Sequence, residues 1–432
     1  MFCKTALLST AAPKAKFRGT ARKMAKRHKK NAIATLVHTA TPPPACGTVK
    51  NHTVIVDANA AIRSVVHSGP MSAMSIAKQV YVRAMASKPS ALAIYFDSSN
   101  AQLYPPQRAV LHQKRYKGKT LDYDSVLAIC TLLRVDSPSD LASVDVTVRP
   151  LLNNRKLPWS DMFMNRELKQ FAFRLVAAAL RHVVIDQKCP SAVNIHLPHD
   201  RERWALPTGA AGGTVAGKEE GMIFGEADLR CQQAVLQAMH TGKHVNIHSV
   251  DTDFLLMAMA SVHTPSPATD LIITLKTGVY NGNALIRHAL GPGVSLERRL
   301  NTAFWAFAFG CDYSNPLTHN GYYTKGLLSL MTAENALPLT VDRDSATATF
   351  CLKEAYRNLG TLKCNKKKLA TVGAGKDSVP TTLKKMLWCL QYYGLMFVDG
   401  SGALHPKAVA FTAAEKYTFS IKPDMVALFA RK

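Results

Sequence analysis

The chain has 432 residues, with 54 Lys and Arg against 29 Asp and Glu, a formal net charge of +25 and an apolar content of 47%. It is long enough for a large core and two domains, but it holds no run of 18 uncharged apolar residues, so no membrane-spanning helix is expected. Nine scattered cysteines without a C-x-x-C pair argue against a disulfide framework and a zinc site. The basic excess predicts a polyanionic partner, nucleic acid before anionic membrane.

Residues 1–50 are predicted to form a disordered basic arm that ends in the Pro-rich linker "TATPPPACG". Residues 1–56 contain 11 Lys or Arg and no Asp or Glu. The Lys-rich segment "RKMAKRHKK" favours a nuclear address or a phosphate-binding arm, hence a nuclear or other intracellular location. A cleavable mitochondrial transit peptide is the alternative, since such peptides are also basic and poor in acids.

Three short apolar segments are each predicted to be a strand that ends in an acid. "HTVIVD" ends at Asp57, "ALAIYFD" ends at Asp97, and "HVNIHSVDTD" ends at Asp251 and Asp253. Helical stretches separate them, which indicates a parallel α/β sheet. Ligands of such sheets bind beyond the carboxyl ends of the strands, so we expect these acids to gather at one edge.

The pair Asp251 and Asp253 has two interpretations. D-x-D is most often a turn in which each Asp bonds its own backbone. If "VNIHSVDTD" is instead an extended strand, the two carboxylates share one face, and their repulsion requires a cation or a proton.

Further elements follow in chain order. A helix is expected over 160–187 and a flexible loop over 207–221, "PTGAAGGTVAGKEEG". The helix in "FGEADLRCQQAVLQAMHTGK" carries Glu226 and Asp228 at its start, where acids often only complement the helix dipole. "FWAFAFG" is expected to be buried, with Asp312 in the turn that follows. The region 336–432 is expected to be mainly helical and basic.

Seven acids therefore stand at predicted strand ends or helix starts: Asp57, Asp97, Glu226, Asp228, Asp251, Asp253 and Asp312. A cluster of hard oxygen ligands suits Mg²⁺, for which Mn²⁺ can substitute. Two such ions form the usual apparatus of phosphodiester hydrolysis. A basic protein with this acidic pocket is typical of a nuclease.

The ordered motifs "VDANAAI", "YFDSS", "GEADLRC", "VDTDFLL" and "GCDYS" resemble the flap endonuclease/XPG superfamily of 5′-nucleases, over about residues 52–335. The resemblance implies a PIN-like α/β fold over 51–335, with an arch or gateway insertion at about 100–215 and a degenerate helix-hairpin-helix at about 312–335. It also implies a first metal on Asp57, Asp97, Glu226 and Asp228 and a second on Asp251, Asp253 and Asp312. "VDTDFLLM" is also similar to herpesvirus virion host shutoff nucleases, which cut RNA.

The segment after Asp97 resembles the basic gateway of this superfamily, and "RYKGKT" is similar to the Y-K-G segment of phage 5′-nucleases. The resemblance makes four basic residues candidates for contact with the cleaved phosphate: Arg108, Lys114, Arg115 and Lys117. Further candidates for nucleic-acid binding are Tyr104, Tyr116, Lys119, and Gly321 and Lys325 in "HNGYYTKG". The two tyrosines could stack on bases. A solvated basic loop is the alternative for the first group.

The chain also departs from the family. Tyr323 replaces the second glycine of the G-I-G turn that holds duplex phosphate, and the C-terminal part shows no sliding-clamp motif. The sequence therefore predicts a divergent, monomeric, Mg²⁺-dependent 5′-nuclease that acts on DNA with free 5′ ends or flaps. An RNA-degrading enzyme of the host-shutoff kind and a non-catalytic nucleic-acid-binding protein are the alternatives.

Overall fold

The structure is a computed structural model, and it describes residues 52–66, 70–98, 121–142, 149–198, 202–209, 214–218, 225–249, 253–261, 271–275, 278–282, 295–311, 313–314, 317, 329–331, 337–361, 379–393 and 416–420. Several predicted features lie outside these residues: the basic arm, the gateway candidates Arg108, Lys114, Arg115 and Lys117, the further nucleic-acid-binding candidates Tyr104, Tyr116, Lys119, Gly321 and Lys325, and the predicted metal ligands Asp251 and Asp312. No helix among the described residues is long and apolar enough to cross a membrane.

A mixed eight-stranded sheet organises the chain, in the order β5-β4-β3-β2-β1-β6-β7-β8. The strands are β1 (His52–Asp57), β2 (Ala91–Tyr95), β3 (Ala192–His196), β4 (Glu202–Leu206), β5 (Val215–Lys218), β6 (His244–His248), β7 (Leu271–Leu275) and β8 (Gly278–Asn281). The five central strands are parallel, and β4, β5 and β8 pair antiparallel at the margins. The predicted α/β class with a mostly parallel sheet is confirmed.

Helices flank this sheet. They are α1 (Ala58–Val65), α2 (Ala73–Met85), α3 (Tyr123–Leu133), α4 (Arg149–Asn154), α5 (Trp159–Met162), α6 (Arg166–Asp186), α7 (Ala227–His240), α8 (Asp253–Ser261), α9 (Leu296–Ala306), α10 (Leu352–Thr361) and α11 (Val379–Tyr393). The helix predicted after Gly225 is confirmed, and the segment predicted to be helical over 160–187 is helical but divided into α5 and α6, with Asn165 as the N-cap of α6. α6 and β3, which fall within the predicted insertion at 100–215, belong to the main α/β layers.

The two faces of the sheet bury different parts of the chain. Along β1, Val54 and Val56 belong to a core that is built entirely from residues 54–206, which we call the early core. Ile55, between them, belongs to a core that otherwise uses Tyr95 and residues 227–393, which we call the late core. Alternate side chains of a strand point to opposite faces, so both faces of the sheet are covered by apolar side chains.

Three expectations were wrong in part. The predicted loop 207–221 contains β5, an exposed edge strand paired with β4. The predicted helical region 336–432 contains α10 and α11 but also a three-stranded antiparallel sheet of β9 (Leu339–Asp342), β10 (Thr347–Cys351) and β11 (Lys416–Ser420). In β10 the alternating burial of Ala348 and Phe350 is the period-two pattern that a strand requires; these two side chains join the late core.

The third correction concerns the D-x-D segment. β6 ends at His248, and Asp253 is the first residue of α8. Asp253 is therefore helical and does not continue the strand, whereas Asp251 lies outside the described residues. The apolar run "FLLM" continues as a buried helix, in which Phe254–Met257 fill the late core, because a helix satisfies its own backbone within a buried segment.

Candidate active site

The order in which successive strands are added to the sheet reverses between β1 and β6. β1, β2 and β3 follow one another towards one margin, and β6 and β7 lie on the other side of β1. In open α/β sheets this switch point forms a crevice beyond the carboxyl ends of the strands, where ligands bind. Asp57 is the last residue of β1, and Asp253 begins the helix that follows β6, so both acids follow the two strands that flank this switch point.

Five predicted ligands lie within the described residues, and we call them together the acidic edge: Asp57, Asp97, Glu226, Asp228 and Asp253. Four of them are buried, and Asp228 is partly buried. Carboxylates are seldom buried unless they are paired or bind a cation. Each carboxylate must therefore be accounted for by its contacts.

Asp57 performs a structural role with both oxygens. Its Oδ1 accepts a hydrogen bond from the Ala60 N–H at 3.2 Å, which makes it the N-cap of α1. Its Oδ2 accepts a hydrogen bond from the Ser249 hydroxyl at 3.0 Å, which connects β1 to the segment that follows β6. The strand-end acid Asp57 is therefore also a helix cap.

Capping does not account for the electrostatics of Asp57. Burial, and after it the charge of Asp97, raise the pKa of this carboxyl from its ordinary 3.8 to about 6, against the lowering effect of hydrogen bonds with Ala60, Asp228 and Ser249. Two carboxyl groups such as Asp57 and Asp228 share a hydrogen bond only if one of them carries a proton. Without a cation, Asp57 therefore binds its proton more tightly than an ordinary aspartate and loses it only around pH 6.

Asp97 lies two residues beyond β2 and connects three elements. Its Oδ1 accepts a hydrogen bond from the Ala227 N–H at 2.9 Å, at the start of α7. Its Oδ2 lies 3.2 Å from Nζ of Lys169, on α6. Because Glu226, the residue at the N-cap of α7, makes no capping bond of its own, Asp97 supplies a cap from outside the helix.

Glu226 and Asp253 lie towards the late core. The hydroxyl of Tyr313, which follows the predicted ligand Asp312, donates a hydrogen bond to Oε1 of Glu226. Burial raises the pKa of Tyr393 well above its ordinary value, and the nearby Cys311, Asp253, Tyr313 and Glu226 contribute to this rise. Glu226 and Asp253 are thus both close to the Tyr393 ring on α11.

A buried arginine holds the neighbouring strand ends. Arg230 on α7 donates from Nη1 to the carbonyl of Phe96 at 2.6 Å and to that of Leu197 at 3.2 Å. Its guanidinium lies 5.6 Å from the centre of the Tyr95 ring, which stacks on His196 at 3.9 Å. Arg230 therefore fixes the ends of β2 and β3 relative to the helix that carries Asp228.

The sequence did not identify Lys169, Arg230, Tyr313 or Ser249 as part of this region, although signals for the first three were present. Lys169 shares a helix face with Phe173 and Val176, at i+4 and i+7, and a lysine on an apolar stripe requires a buried partner. Arg230 lies beside the apolar face of α7, and Tyr313 lies within "GCDYS".

The donor chemistry of the acidic edge fits a hard divalent cation, because its acids are oxygen ligands and burial together with Asp97 hinders ionisation of Asp57. Within the described part of the chain, however, no three His, Cys, Asp or Glu side chains are arranged as a metal-binding group. The oxygens of Asp57 and Asp97 are engaged by protein donors instead.

No family model and no curated protein matches this chain. The resemblance to 5′-nucleases therefore rests on the motifs quoted above and on the chemistry of the acidic edge.

Proposed function

We propose that this protein is a Mg²⁺-dependent 5′-nuclease with a PIN-like core, which hydrolyses phosphodiester bonds of DNA that carries free 5′ ends or flaps. The supporting observation is the position of Asp57, Asp97 and Asp228. Their carboxyl groups interact electrostatically at the carboxyl ends of two adjacent parallel strands, β1 and β2, beside the switch point of the sheet.

Asp57 and Asp97 each cap a helix, yet the three acids together place more negative charge here than capping requires. A helix cap or a turn needs one acceptor, whereas here the charge of Asp97 opposes the ionisation of Asp57. The same three charges, after burial as the main cause, raise the pKa of the Cys231 thiol on α7 well above its ordinary value. A site that binds cations explains why this repulsion is kept.

The residues have separate roles in this proposal. Asp57, Asp97, Glu226 and Asp228 would hold one divalent ion, and Asp253 would hold a second together with Asp251 and Asp312. When bound, these ions activate water and stabilise the leaving oxygen of a phosphodiester. Arg230 and Ser249 position the strand ends, and the basic residues Arg108, Lys114, Arg115 and Lys117 would bind the phosphate.

The experiment that tests the proposal compares three end-labelled substrates, a 5′-flap DNA, single-stranded DNA and single-stranded RNA, with Mg²⁺ and with EDTA. The full chain should cut flap DNA only with Mg²⁺, and Asp228→Asn should reduce single-turnover cleavage by orders of magnitude. Asp344→Asn, at an exposed hairpin acid, is the matched control and should cut normally.

Each other outcome identifies an alternative. Cleavage of RNA alone would assign the host-shutoff kind of activity. Binding of nucleic acid without cleavage of any of the three substrates, in Mg²⁺ or Mn²⁺, would assign a non-catalytic binding protein. Equal activity of Asp228→Asn and the wild type would remove the acidic edge from the mechanism.

A further inference from the structure

Lys169 is a charged residue inside the early core. It lies in the first part of α6, between Leu168 and Phe171, which are fully buried, and it is itself only 7% exposed. A buried ammonium costs several kcal/mol unless it is paired. The burial of Lys169 therefore depends on its contacts.

Two contacts stabilise this ammonium. Nζ lies 3.2 Å from Oδ2 of Asp97, and both side chains are largely withdrawn from solvent. Nζ also lies 5.2 Å from the centre of the Phe173 ring, one turn further along α6, where a cation is attracted by the face of the ring. The charge of Lys169 is thus directed at the acidic edge and not at solvent.

The charges near Lys169 do not balance. Asp97 interacts with Asp57, and Asp57 in turn is hydrogen-bonded to Asp228. When the four acids of the proposed first site, Asp57, Asp97, Glu226 and Asp228, are ionised, the buried cations Lys169 and Arg230 leave two negative charges uncompensated, which is the charge of one divalent cation. Without Lys169 three negative charges would be uncompensated.

We propose that Lys169 is a fixed cation of the acidic edge, a positioning residue that holds Asp97 against α7 and sets how strongly the edge binds a divalent ion. This inference rests on the proposed function, because it assumes that Mg²⁺ binds there. The ammonium stabilises the edge before the metal arrives, and it repels the metal afterwards. Both effects follow from the same charge, so its removal should change them together.

The test measures melting temperature in EDTA and over a Mg²⁺ series, for the wild type, Lys169→Gln, Lys169→Arg and Lys169→Gln/Asp97→Asn. Lys169→Gln should melt several degrees lower in EDTA, because Asp97 loses its buried partner. Added Mg²⁺ should raise the melting temperature of Lys169→Gln by more than it raises that of the wild type. The Mg²⁺ concentration that gives half of this increase should be on the order of tenfold lower than for the wild type, because a charge that repels the ion has been removed. Lys169→Arg keeps the charge and should resemble the wild type.

Two controls keep the test decisive if Lys169→Gln folds poorly. In the double variant both charges of the pair are absent, so the melting temperature in EDTA should recover relative to Lys169→Gln, whereas the Mg²⁺ response should weaken because a ligand is lost. Arg149→Gln removes a cation from the exposed pair with Asp186, at the far end of α6, and should leave the Mg²⁺ response unchanged.

The two failures are distinguishable. If Mg²⁺ raises the melting temperatures of the wild type and Lys169→Gln equally, Lys169 is an ordinary structural ion pair, and this inference is overturned while the metal site stands. If Mg²⁺ raises neither, the metal site itself is refuted, and the role of Lys169 in metal binding falls with it.

Discussion

Replacement of Asp57 by Asn should stabilise the cation-free protein at neutral pH. The amide keeps the shape of the side chain: its oxygen can accept the bond from the Ala60 N–H, and its NH2 group can donate to the Ser249 hydroxyl, which then acts as acceptor. It removes the buried negative charge that burial and Asp97 oppose. Asn is also as good an N-cap as Asp, so α1 should be unaffected.

The magnitude follows from linkage. The carboxyl of Asp57 has a pKa of about 6 in the folded protein and an ordinary value of 3.8, so the folded state binds this proton more tightly than the unfolded chain. Ionisation therefore destabilises the fold: the penalty is nearly absent below pH 4, grows between pH 4 and 6, and reaches about 3 kcal/mol above pH 6. Asp57→Asn should gain up to this amount at pH 7.5 and almost nothing at pH 4.

The assay is urea denaturation in EDTA from pH 4 to 8, with wild type, Asp57→Asn and the exposed control Asp344→Asn. The difference between Asp57→Asn and wild type should increase through pH 5 and then level off, while the control difference stays flat. With Mg²⁺ present the advantage of the variant should shrink, because only the wild type keeps the full ligand set. If Asp57→Asn is less stable than wild type by the same amount at every pH, Asp57 is only a cap, and the electrostatic reasoning fails.

Three further predictions follow from the other parts of the molecule. Asp253→Asn should have an unchanged or higher melting temperature in EDTA, a smaller increase of that temperature with Mg²⁺, and cleavage lower by orders of magnitude. Full activity with a lower melting temperature would show that Asp253 only starts a helix. Tyr313→Phe should lose about 1–3 kcal/mol in urea denaturation, because the buried carboxylate of Glu226 loses a donor, and a loss below about 0.5 kcal/mol would contradict that contact. Deletion of residues 1–48 should reduce the salt dependence of DNA binding and leave the cut position unchanged, whereas a shifted cut position would show that the arm reads structure.

The central strands could be predicted because burial on both faces of a parallel sheet leaves a clear mark in the sequence. β1 and β2 are short apolar runs, and each is followed within two residues by an acid. β5 gave no such signal, because "VAGK" is mostly exposed and pairs only with β4, at the edge of the sheet. Its pairing depends on β4, which a local pattern does not reveal.

The residues of the candidate site were likewise predictable only in part. Asp57 and Asp97 could be placed at one edge, because adjacent parallel strands bring their ends together. The counter-charge of Lys169 could not be assigned, because its partner lies 72 residues earlier in the chain, and only the packing of α6 brings the two together. The position of Asp253 was misjudged for a local reason: the strand ends at His248, and the apolar run after it forms a helix.

The separation of the two cores has a consequence for synthesis of the protein. The early core needs only residues 54–206. The side of the sheet that packs against α6 can therefore be complete before the second half of the chain leaves the ribosome. The opposite face must wait for α11, which ends at Tyr393. Throughout that interval Ile55 and Tyr95 lack their late partners, and the nascent chain presents an apolar sheet surface that invites chaperones or aggregation. A premature stop before α11 should therefore give an aggregating product, not a smaller folded protein.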